Sequence, residues 1–438
     1  MPSEQRSAHL KFSSFDLPVP VVHELKRQGI ETPFPIQAAA IPDALRGADI
    51  LGKGPTGSGK TLTFGLPIIS ALSRGASKPG RPRAIILVPT RELAVQVRER
   101  LEPLAATMGQ RVMEVVGGVK ISRHITALSR GVDILVATPG RTQDLMRQGE
   151  LGLQDVRVAA VDEADHLADL GFLPQVTSIL DATPKQAQHL FFSATLDGDV
   201  QVLIDRYMND PIVHSTSEAA ATPTASGHRS RTSTAPDITH LLAVMTEREQ
   251  RWPAIRAIAQ GSTRSIMFMR TKHGVNRIVQ RLQKTGLPAV GLHGDKGQNA
   301  RTAAIADFSS GKATVLVATD IAARGIDIPG LDLVVHIDPP AEHKAYTHRA
   351  GRTARAGASG TVLTLAFEDQ LPDVEKLMAK AGVRPQRMDI HKAVDVVAPG
   401  GRTSPENRSR PAQQRSANKS HRGQRAGESR NQRGKRRR

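Results

Sequence analysis

The stretch that decides the fold is "ADILGKGPTGSGKTLTFG", residues 48–65. Its apolar start predicts a short buried strand, and "TLTFGLPIISAL" directly after the turn predicts a helix. Between them, Gly54–Thr61 has the pattern G-x-x-x-x-G-K-T, in which glycines allow backbone N–H groups to point at phosphate oxygens. A glycine-rich turn without a ligand could have the same composition, but the flanking strand and helix favour phosphate binding. The stretch therefore predicts an α/β domain that binds a nucleotide.

The length and composition predict two soluble globular domains. A chain of 438 residues exceeds the size that one hydrophobic core usually reaches, and 39% hydrophobic residues are enough for globular cores. No apolar run reaches the roughly 18 residues that span a bilayer, and the N-terminal stretch lacks the apolar core of a signal peptide. The absence of cysteine excludes disulfides and thiolate metal sites. We therefore expect a cytoplasmic protein with no membrane contact.

The charge of the chain indicates a polyanionic partner. The formal net charge is +18, and residues 401–438 carry +11 of it, with 13 Lys and Arg against 2 Glu. Nucleic acid is the simplest partner for such a segment, although a tail that only improves solubility would have the same composition. Aromatic residues make up 3% of the chain, too few for a surface that reads single strands by stacking their bases. We expect contacts with the nucleic-acid backbone instead.

Apolar runs of strand length alternate with helical patterns along most of the chain. Examples are "AIILV" before "PTRELAVQVRERL" and "VAAV" before "DEADHL". Continuous apolar runs suit strands that are buried on both faces, and their alternation with helices predicts parallel sheets. A segment rich in Ser, Thr, Ala and Pro interrupts the series, and a polar basic segment follows it. The predicted parts are a first domain at residues 1–213, a flexible linker at 214–236, a second domain at 237–395 and a disordered basic tail at 396–438.

An acidic pair follows a later apolar run, in "VAAVDEADHL". The carboxyl ends of parallel strands line the ligand crevice of an open sheet, so Asp162 and Glu163 are expected there. Asp162 would hold Mg²⁺ through water, together with the hydroxyl of Thr61. Glu163 would orient the attacking water and accept its proton, while Lys60 would reach the β and γ phosphates. Acidic residues are also common at helix starts for electrostatic reasons, but together with the phosphate loop the pair indicates nucleotide hydrolysis.

The order of these motifs resembles that of the DEAD-box RNA helicases of superfamily 2, and the basic tail resembles that of bacterial members. "GKGPTGSGKT", "DEAD" at 162–165, "SAT" at 193–195 and "HRAGRTARAG" at 348–357 occur in the order typical of that family. The resemblance covers Phe12 to about Gly357. It implies two tandem RecA-like domains, each a mostly parallel sheet flanked by helices, with ATP and Mg²⁺ as ligands and RNA as partner.

The resemblance assigns a set of residues to the nucleotide. "GIETPFPIQ" at 29–37 resembles the Q motif, in which the amide of Gln37 would match the hydrogen-bonding edge of adenine and refuse guanine. Phe12 occupies the position of the aromatic that stacks on adenine, and Phe34 replaces a small hydroxyl residue. The implied ATP-binding set is Phe12, Gln37, Gly57, Ser58, Gly59, Lys60, Thr61, Gly325 and Asp327.

The resemblance also implies an RNA track and residues that couple it to the nucleotide. Turns such as "PTRELA", "GG" and "TPGR" resemble motifs that bind the RNA backbone without reading its sequence. The implied RNA contacts are Arg91, Gly118, Thr138, Arg141, Thr271 and Thr319. The implied coupling residues are Asp165, Ser193, Thr195, Arg324 and Arg349. Ser193 and Thr195 could equally serve as helix caps.

Three arginines spaced three residues apart, Arg349, Arg352 and Arg355, allow two interpretations. They could line a solvated face of a helix. The resemblance implies instead that Arg352 and Arg355 are arginine fingers, which would contact the γ-phosphate across the cleft between the domains. A guanidinium group suits this role better than an ammonium group because of its planar donor geometry. Ala354 stands where the family usually has glycine.

The motifs together predict an ATP-dependent RNA helicase that couples ATP hydrolysis to local unwinding or remodelling of RNA duplexes and RNA–protein complexes. A nucleotide-switched RNA clamp or annealing chaperone would carry the same motifs, as would a DNA-directed helicase of the same superfamily. We expect little RNA sequence specificity and a monomeric core. Ribosomal or RNA-decay proteins are the expected protein partners, by association with bacterial members of the family.

Overall fold

The computed structural model describes most of the chain up to residue 399. The described residues are 10–54, 59–196, 198–215, 238–323, 326, 331–354 and 359–399. Nearly all of the predicted linker and of the predicted tail lies outside these ranges.

Strands and helices alternate in the first domain, as the apolar runs predict. Its strands are β1 (Ile50–Lys53), β2 (Ala84–Leu87), β3 (Val112–Val115), β4 (Ile134–Ala137), β5 (Val158–Val161), β6 (Gln188–Ser193) and β7 (Ile212–Ser215). Its helices are α1 (Val19–Arg27), α2 (Pro35–Leu45), α3 (Lys60–Ala71), α4 (Arg91–Ala106), α5 (Ile121–Leu128), α6 (Pro139–Arg147), α7 (Ala164–Asp169), α8 (Leu173–Leu180) and α9 (Gly198–Tyr207). A 3-10 turn at Phe12–Ser14 precedes them.

The second domain repeats this alternation. Its strands are β8 (Ile238–Met245), β9 (Ser265–Phe268), β10 (Ala289–Leu292), β11 (Val315–Ala318), β12 (Leu333–His336), β13 (Gly360–Phe367) and β14 (Gln386–Asp389). Its helices are α10 (Arg251–Gly261), α11 (Lys272–Lys284), α12 (Gln298–Ser309), α13 (Asp320–Ala323), α14 (His343–Ala350), α15 (Leu371–Lys380) and α16 (Ile390–Val397).

The two domains have the same sheet topology. The first sheet has the order β3-β4-β2-β5-β6-β1-β7, and the second has the order β10-β11-β9-β12-β13-β8-β14. When the strands of each domain are counted separately from its own first strand, both orders become 3-4-2-5-6-1-7. The paired strands of both sheets run parallel, so their carboxyl ends meet at one edge of each sheet. The turns that carry the predicted site residues follow these carboxyl ends.

Helices cover both faces of each sheet, which explains the continuous apolar runs. Along β2, Ala84 and Ile86 belong to one hydrophobic cluster, while Ile85 and Leu87 belong to another on the opposite face. All four side chains are fully buried. A strand buried on both faces needs apolar residues at every position, because alternate side chains point to opposite sides of the sheet. In the described part of the chain, no helix has both the length and the apolar composition needed to cross a bilayer.

The edge strands and the domain ends differ from the sequence-based prediction. The edge strands β3, β7 and β14 are only partly buried and carry polar residues, so they lack the apolar run that marks the inner strands. The first domain therefore extends through β7 to Ser215, two residues into the predicted linker. The predicted end of the second domain, residue 395, lies inside α16. Ala398, which directly follows this helix, is buried against Gly261, so the domain extends at least to Ala398.

Gly52 in β1 provides a test of the packing in the first domain. It pairs with Phe192 of β6, and a Cβ at Gly52 would lie 2.3 Å from two carbons of the Phe192 ring. We expect Gly52→Ala to destabilise this domain by about 1–3 kcal/mol, because the ring must move within a packed core. Gly198→Ala is the control, since no heavy atom outside its own helix lies within 4 Å of the added Cβ. Urea unfolding with the same midpoint for both variants would contradict this packing.

Candidate active site

A cleft of about 1060 Å³ lies between the two domains at the carboxyl edge of the first sheet. The first domain lines it with Lys60, Asp162 and Glu163, and the second domain with Ile326 and Arg352. One cation and two carboxylates on one wall therefore face a second cation on the other wall. Clefts that combine converging charges from two domains are common ligand sites.

Lys60 begins α3 at the end of the phosphate loop and is largely buried. Its Nζ donates a hydrogen bond of 3.0 Å to the carbonyl oxygen of Gly54 at the start of the loop. The Gly54 carbonyl thus orients the Lys60 side chain, which lines the cleft beside Asp162 and Glu163. Gly59 and Thr61 line the same end of the cleft, whereas Gly57 and Ser58 lie outside the described residues.

Asp162 and Glu163 have opposite electrostatic environments although they are adjacent. Burial raises the pKa of Asp162 to about 6, and the negative charges of Glu163 and Asp165 add to this effect against the attraction of Lys60. Burial also acts to raise the pKa of Glu163, but the hydrogen bond from His166 and the nearby positive charges of His166, Arg352 and Lys60 outweigh it, so that pKa is lowered. The His166 Nδ1 lies 3.1 Å from Glu163 Oε2. Glu163 is therefore held ionised, as a proton acceptor must be.

The backbone of Glu163 is strained. Its φ of 51° and ψ of 52° lie in the left-handed region, which residues with a side chain rarely adopt. This conformation directly precedes α7, and the Glu163 N–H donates 2.9 Å to Asp162 Oδ1. Strain of this kind is found mainly where the surrounding structure fixes a functional side chain.

The residues at this end of the cleft fit a Mg²⁺ ion. Asp162 offers a carboxylate and Thr61 a hydroxyl, which are the oxygen donors that Mg²⁺ prefers. A cation there would also offset the buried negative charge of the acidic pair. Within the described ranges, no three His, Cys, Asp or Glu side chains are grouped to hold a metal. Such an ion would therefore take most of its ligands from water and phosphate oxygens.

Asp165 connects the acidic pair to the SAT turn and to the second domain. Its Oδ2 accepts hydrogen bonds from the Thr195 N–H at 3.0 Å and the Thr195 hydroxyl at 3.2 Å, and its own N–H donates to the Ser193 hydroxyl at 3.2 Å. His348 of the second domain lies 3.5 Å from the same Oδ2. Burial opposes ionisation, but His348, Lys60 and Ser193 lower the pKa of Asp165. His348 begins the "HRAGRTARAG" motif, but no local pattern in the sequence predicts its contact with Asp165.

Neither Arg349 nor Arg352 of that motif lines a solvated helix face. Arg349 is buried, donates to both carboxylate oxygens of Asp320 at 2.5 and 2.7 Å, and lies 4.9 Å from the Phe268 ring centre. These contacts are all inside the second domain, where they fix α14 against the sheet. Arg352 is also buried, lines the cleft, and donates 2.6 Å to the carbonyl of Ile326. Arg355 lies outside the described residues.

Ala354 has a φ of 54°, in the left-handed region. An alanine costs roughly 1–2 kcal/mol there, because its Cβ crowds the following carbonyl, whereas glycine has no Cβ. This positive φ explains why glycine is the usual residue here in the family that the sequence resembles. The alanine leaves the preceding Arg352 in place.

Of the two residues predicted to bind the base, Gln37 lines the cleft and Phe12 does not. Phe12 is 1% exposed and belongs to the hydrophobic core of the first domain, where it packs edge-on against Phe15 at 5.8 Å. Phe12 does not line the cleft, so its stacking on adenine stays a prediction. Gln37 lies at the cleft wall, where its Oε1 accepts from the Phe34 N–H at 2.8 Å and its Nε2 donates to the Gly59 carbonyl at 2.9 Å.

The residues predicted to bind RNA in the first domain gather around one turn, at residues 115–119. The Arg91 guanidinium packs on Gly118, so closely that a Cβ there would lie 1.9 Å from it. The Arg141 guanidinium donates a hydrogen bond of 2.8 Å to the Val119 carbonyl, and the Thr138 N–H donates one of 3.0 Å to the Val115 carbonyl. The structure therefore brings Arg91, Gly118, Thr138 and Arg141 together at the carboxyl ends of β3 and β4.

The second domain places its predicted RNA residues at the matching edge. Thr271 follows β9 and caps α11, because its hydroxyl accepts a hydrogen bond of 3.1 Å from the Gly274 N–H. Thr319 directly follows β11, the strand that pairs with β9. Thr271 is exposed and Thr319 is half-buried. Three other predicted residues, Arg324, Gly325 and Asp327, lie outside the described residues.

A buried ion pair joins the two domains beside the cleft. Arg301 of α12 donates 2.7 Å to Glu92 of α4, and the Gln298 amide donates 3.2 Å to the same carboxylate oxygen. Burial opposes ionisation of Glu92, but the contacts with Arg301 and Gln298 lower its pKa. No local pattern predicts this pair, because Glu92 and Arg301 lie in different domains.

Two family models match the sequence. The DEAD/DEAH box helicase model matches residues 34–203, and the Helicase conserved C-terminal domain model matches residues 251–357. The interval between the two models, residues 204–250, contains the last strand of the first sheet and the first strand of the second.

Similar proteins occur in yeasts and in bacteria. The ATP-dependent RNA helicase DBP2 of Meyerozyma guilliermondii is 38% identical over 367 residues, which cover 81% of this chain and 64% of that protein. The DEAD-box ATP-dependent RNA helicase CshA of Geobacillus kaustophilus is 33% identical over 378 residues, which cover 86% of this chain and 78% of that protein. The chain thus spans about two thirds of the yeast relative, and its bacterial type stays a prediction.

A solved structure shares the fold. Saccharomyces cerevisiae Dbp5, bound to RNA and ADP BeF3, matches with a TM-score of 0.73 at 24% identity, over 88% of this chain and 98% of that chain. The fold is therefore the tandem arrangement of two RecA-like domains. With both family models matched in order and a relative similar over most of its length, the chain belongs to the DEAD-box helicase family.

Proposed function

We propose that this chain is an ATP-dependent RNA helicase, which hydrolyses ATP between its two domains and uses closure of the cleft to unwind or remodel RNA locally. One observation carries the proposal: the cleft combines Lys60, Asp162 and Glu163 of the first domain with Arg352 of the second. Hydrolysis that needs groups from both domains can respond to any ligand that holds the domains together. The names of the relatives support ATP and RNA as those ligands.

Each residue of the cleft has a distinct task in this proposal. Lys60 binds phosphate oxygens in place of the Gly54 carbonyl. Ionised Glu163, fixed by His166, orients a water and accepts its proton. Arg352 of the second domain neutralises negative charge that develops on the γ-phosphate. A Mg²⁺ ion held through Asp162 and Thr61 would supply further positive charge on the phosphates.

RNA would bind at the carboxyl edges of both sheets. The Arg91 and Arg141 side chains pack around the 115–119 turn of the first domain, and Thr271 and Thr319 lie at the corresponding edge of the second. Contacts of this kind fix the nucleic-acid backbone and carry little sequence information. ATP and RNA then raise the affinity of the chain for each other by the same factor, because both favour the closed arrangement. The cytoplasmic location, the monomeric core and the ribosomal or RNA-decay partners stay predictions from the sequence.

Glu163→Gln and Arg352→Ala test the assignment of the chemistry. We expect RNA-stimulated ATP hydrolysis to fall by about 10²–10⁴-fold in Glu163→Gln, because the amide cannot accept the proton. Arg352→Ala should lower the rate by roughly 10³-fold or more. Exposed Glu249→Gln and Arg256→Ala are matched controls and should keep the rate of the unchanged chain. Steady-state hydrolysis with and without RNA is the measurement, and rates indifferent to RNA and to both cleft variants would refute the proposal.

Arg301→Ala tests the contact between the domains. Without Arg301, the Glu92 carboxylate stays buried without its cation, so we expect the closed arrangement to weaken and ATP to raise RNA affinity less than before. In a double-mutant cycle with Glu92→Gln, the two substitutions should couple by about 1–3 kcal/mol in ATP-dependent RNA binding. Arg206→Ala removes an ion pair of 2.8 Å inside the first domain and serves as the control. Additive effects of the Glu92 and Arg301 substitutions would count against a role in closure.

Removal of the basic segment tests its proposed contact with RNA. The shortened chain should end at residue 400, since α16 and Ala398 are part of the second domain. We expect weaker RNA binding and a less steep dependence of affinity on salt, because each lost phosphate contact lowers the slope by about 0.7. A full-length chain with every Lys and Arg of residues 401–438 changed to Gln is the control for length. An unchanged salt slope in both would show that the segment does not bind RNA.

A further inference from the structure

Helix α11 of the second domain has a strongly basic exposed face. Its sequence, KHGVNRIVQRLQK, contains neither Asp nor Glu. The apolar side chains of the helix are buried against the sheet, whereas its basic side chains at steps of four, four and three residues are exposed. Such steps place side chains on one side of a helix. This α11 stripe consists of His273, Arg277, Arg281 and Lys284.

Carboxylates do not balance the charge of the α11 stripe. Among the residues that the structure describes, none forms an ion pair with Arg277, Arg281 or Lys284. The long helix α4 of the first domain is different, because its Arg98 pairs with three glutamates. The α11 stripe therefore presents its positive charge to the solvent.

The stability of the helix does not account for Arg277. Arg281 and Lys284 lie in the last turn, where the helix dipole favours cations. The Arg281 guanidinium also lies 4.1 Å from the centre of the Trp252 ring, which holds it on the neighbouring helix α10. Arg277 lies four residues before Arg281, and like charges at this spacing repel each other. A row of cations that repel one another fits a surface that binds an anion.

The α11 stripe begins beside the edge of the second sheet that carries the predicted RNA contacts. The helix starts directly after Thr271, at the carboxyl end of β9. Because it connects the parallel strands β9 and β10, it leads from that edge toward the opposite edge of the sheet. His273 to Lys284 span about 17 Å at 1.5 Å per residue. This length equals roughly five nucleotides of one strand in a double helix, at about 3.4 Å each.

We propose that the α11 stripe is a second RNA-binding surface, which holds the backbone of RNA that continues past the carboxyl edge of the second sheet. The proposal rests on the proposed function, because it concerns the same RNA after it leaves that edge. Contacts between cations and phosphates add affinity without reading the sequence. An acidic protein would also suit the charge, but the position of the stripe next to Thr271 favours RNA. The stripe thus raises the affinity for long RNA and leaves hydrolysis in the cleft unchanged.

The test compares a short oligouridine with two longer RNAs in the full-length chain. One RNA extends the oligouridine by a duplex of about ten base pairs, twice the length of the stripe, and the other extends it by a single strand of equal length. Arg277→Gln/Lys284→Gln removes two charges and leaves Arg281 on Trp252. We expect the affinity for an extended RNA to fall by about 10-fold, and the slope of its salt dependence to fall by about 0.7–0.9 for each lost phosphate contact. The form of extension that shows this loss is the form that the stripe binds.

Two readouts should not change in Arg277→Gln/Lys284→Gln. They are the affinity for the short oligouridine and the kcat of RNA-stimulated hydrolysis, because the stripe lies outside the cleft. Lys376→Gln/Lys380→Gln is the matched control, since it removes two exposed charges from α15 of the same domain. This control should bind each RNA as the unchanged chain does.

Arg277→Glu separates RNA binding from folding. A glutamate four residues before Arg281 replaces repulsion with attraction, so the midpoint of urea unfolding should be no lower than in the unchanged chain. The affinity for the extended RNA should nevertheless fall.

Three results would overturn the proposal. The first is an unchanged affinity and salt slope for both extended RNAs in the stripe variants. The second is an equal loss for the short oligouridine, since the stripe would then not act on RNA past the edge. The third is loss of polyglutamate binding with extended RNA still bound, which would assign the stripe to an acidic protein. Failure of the proposed function would look different, because ATP would then not raise the affinity of the unchanged chain for the short oligouridine.

Discussion

The arrangement of the cleft depends on buried negative charge that the first domain does not neutralise alone. Asp162, Glu163 and Asp165 lie between the end of β5 and the first turn of α7, and all three are buried. A buried carboxylate without a nearby cation costs several kcal/mol, so this segment requires positive charge around it. Lys60 supplies part of that charge from the same domain, and Arg352 supplies more from the second. Contact between the domains is therefore favoured by the same charges that would act on a nucleotide.

This division of charge occurs at both ion pairs that join the domains within the described residues. Asp165 meets His348, and Glu92 meets Arg301, so that the first domain provides the anion and the second the cation in both cases. Glu92 and Asp165 lie in the first turns of α4 and α7, the helices that follow the carboxyl ends of β2 and β5. Each pair is only complete when the domains are together. Closure and the ionisation of these carboxylates are consequently linked.

The sequence predicted the inner strands and the motif residues because both leave local patterns. Inner strands such as β2 are continuous apolar runs, and the motifs follow them at the sheet edge. Local patterns could not predict the partly polar edge strands, nor the pair of Glu92 with Arg301, which depends on how two domains meet. Local patterns also could not predict the burial of Phe12, because a position in a motif does not reveal whether a ring is enclosed by its own core. The sequence shows Phe34 only as a departure from the family pattern, and its exposure in the cleft could be seen only from the fold.

Nucleotide phosphates would enter this charge balance as anions shared between the two domains. Lys60 and Arg352 are each oriented by a backbone carbonyl, that of Gly54 at 3.0 Å and that of Ile326 at 2.6 Å. Hydrogen bonds from a cation to a charged oxygen are stronger than those to a neutral carbonyl, so a phosphate between these groups would add attraction across the cleft. Loss of the γ-phosphate would remove that attraction but leave the pairs of Asp165 and Glu92 in place. The proposed cycle therefore needs only a change in one shared anion to shift the balance between closed and open domains.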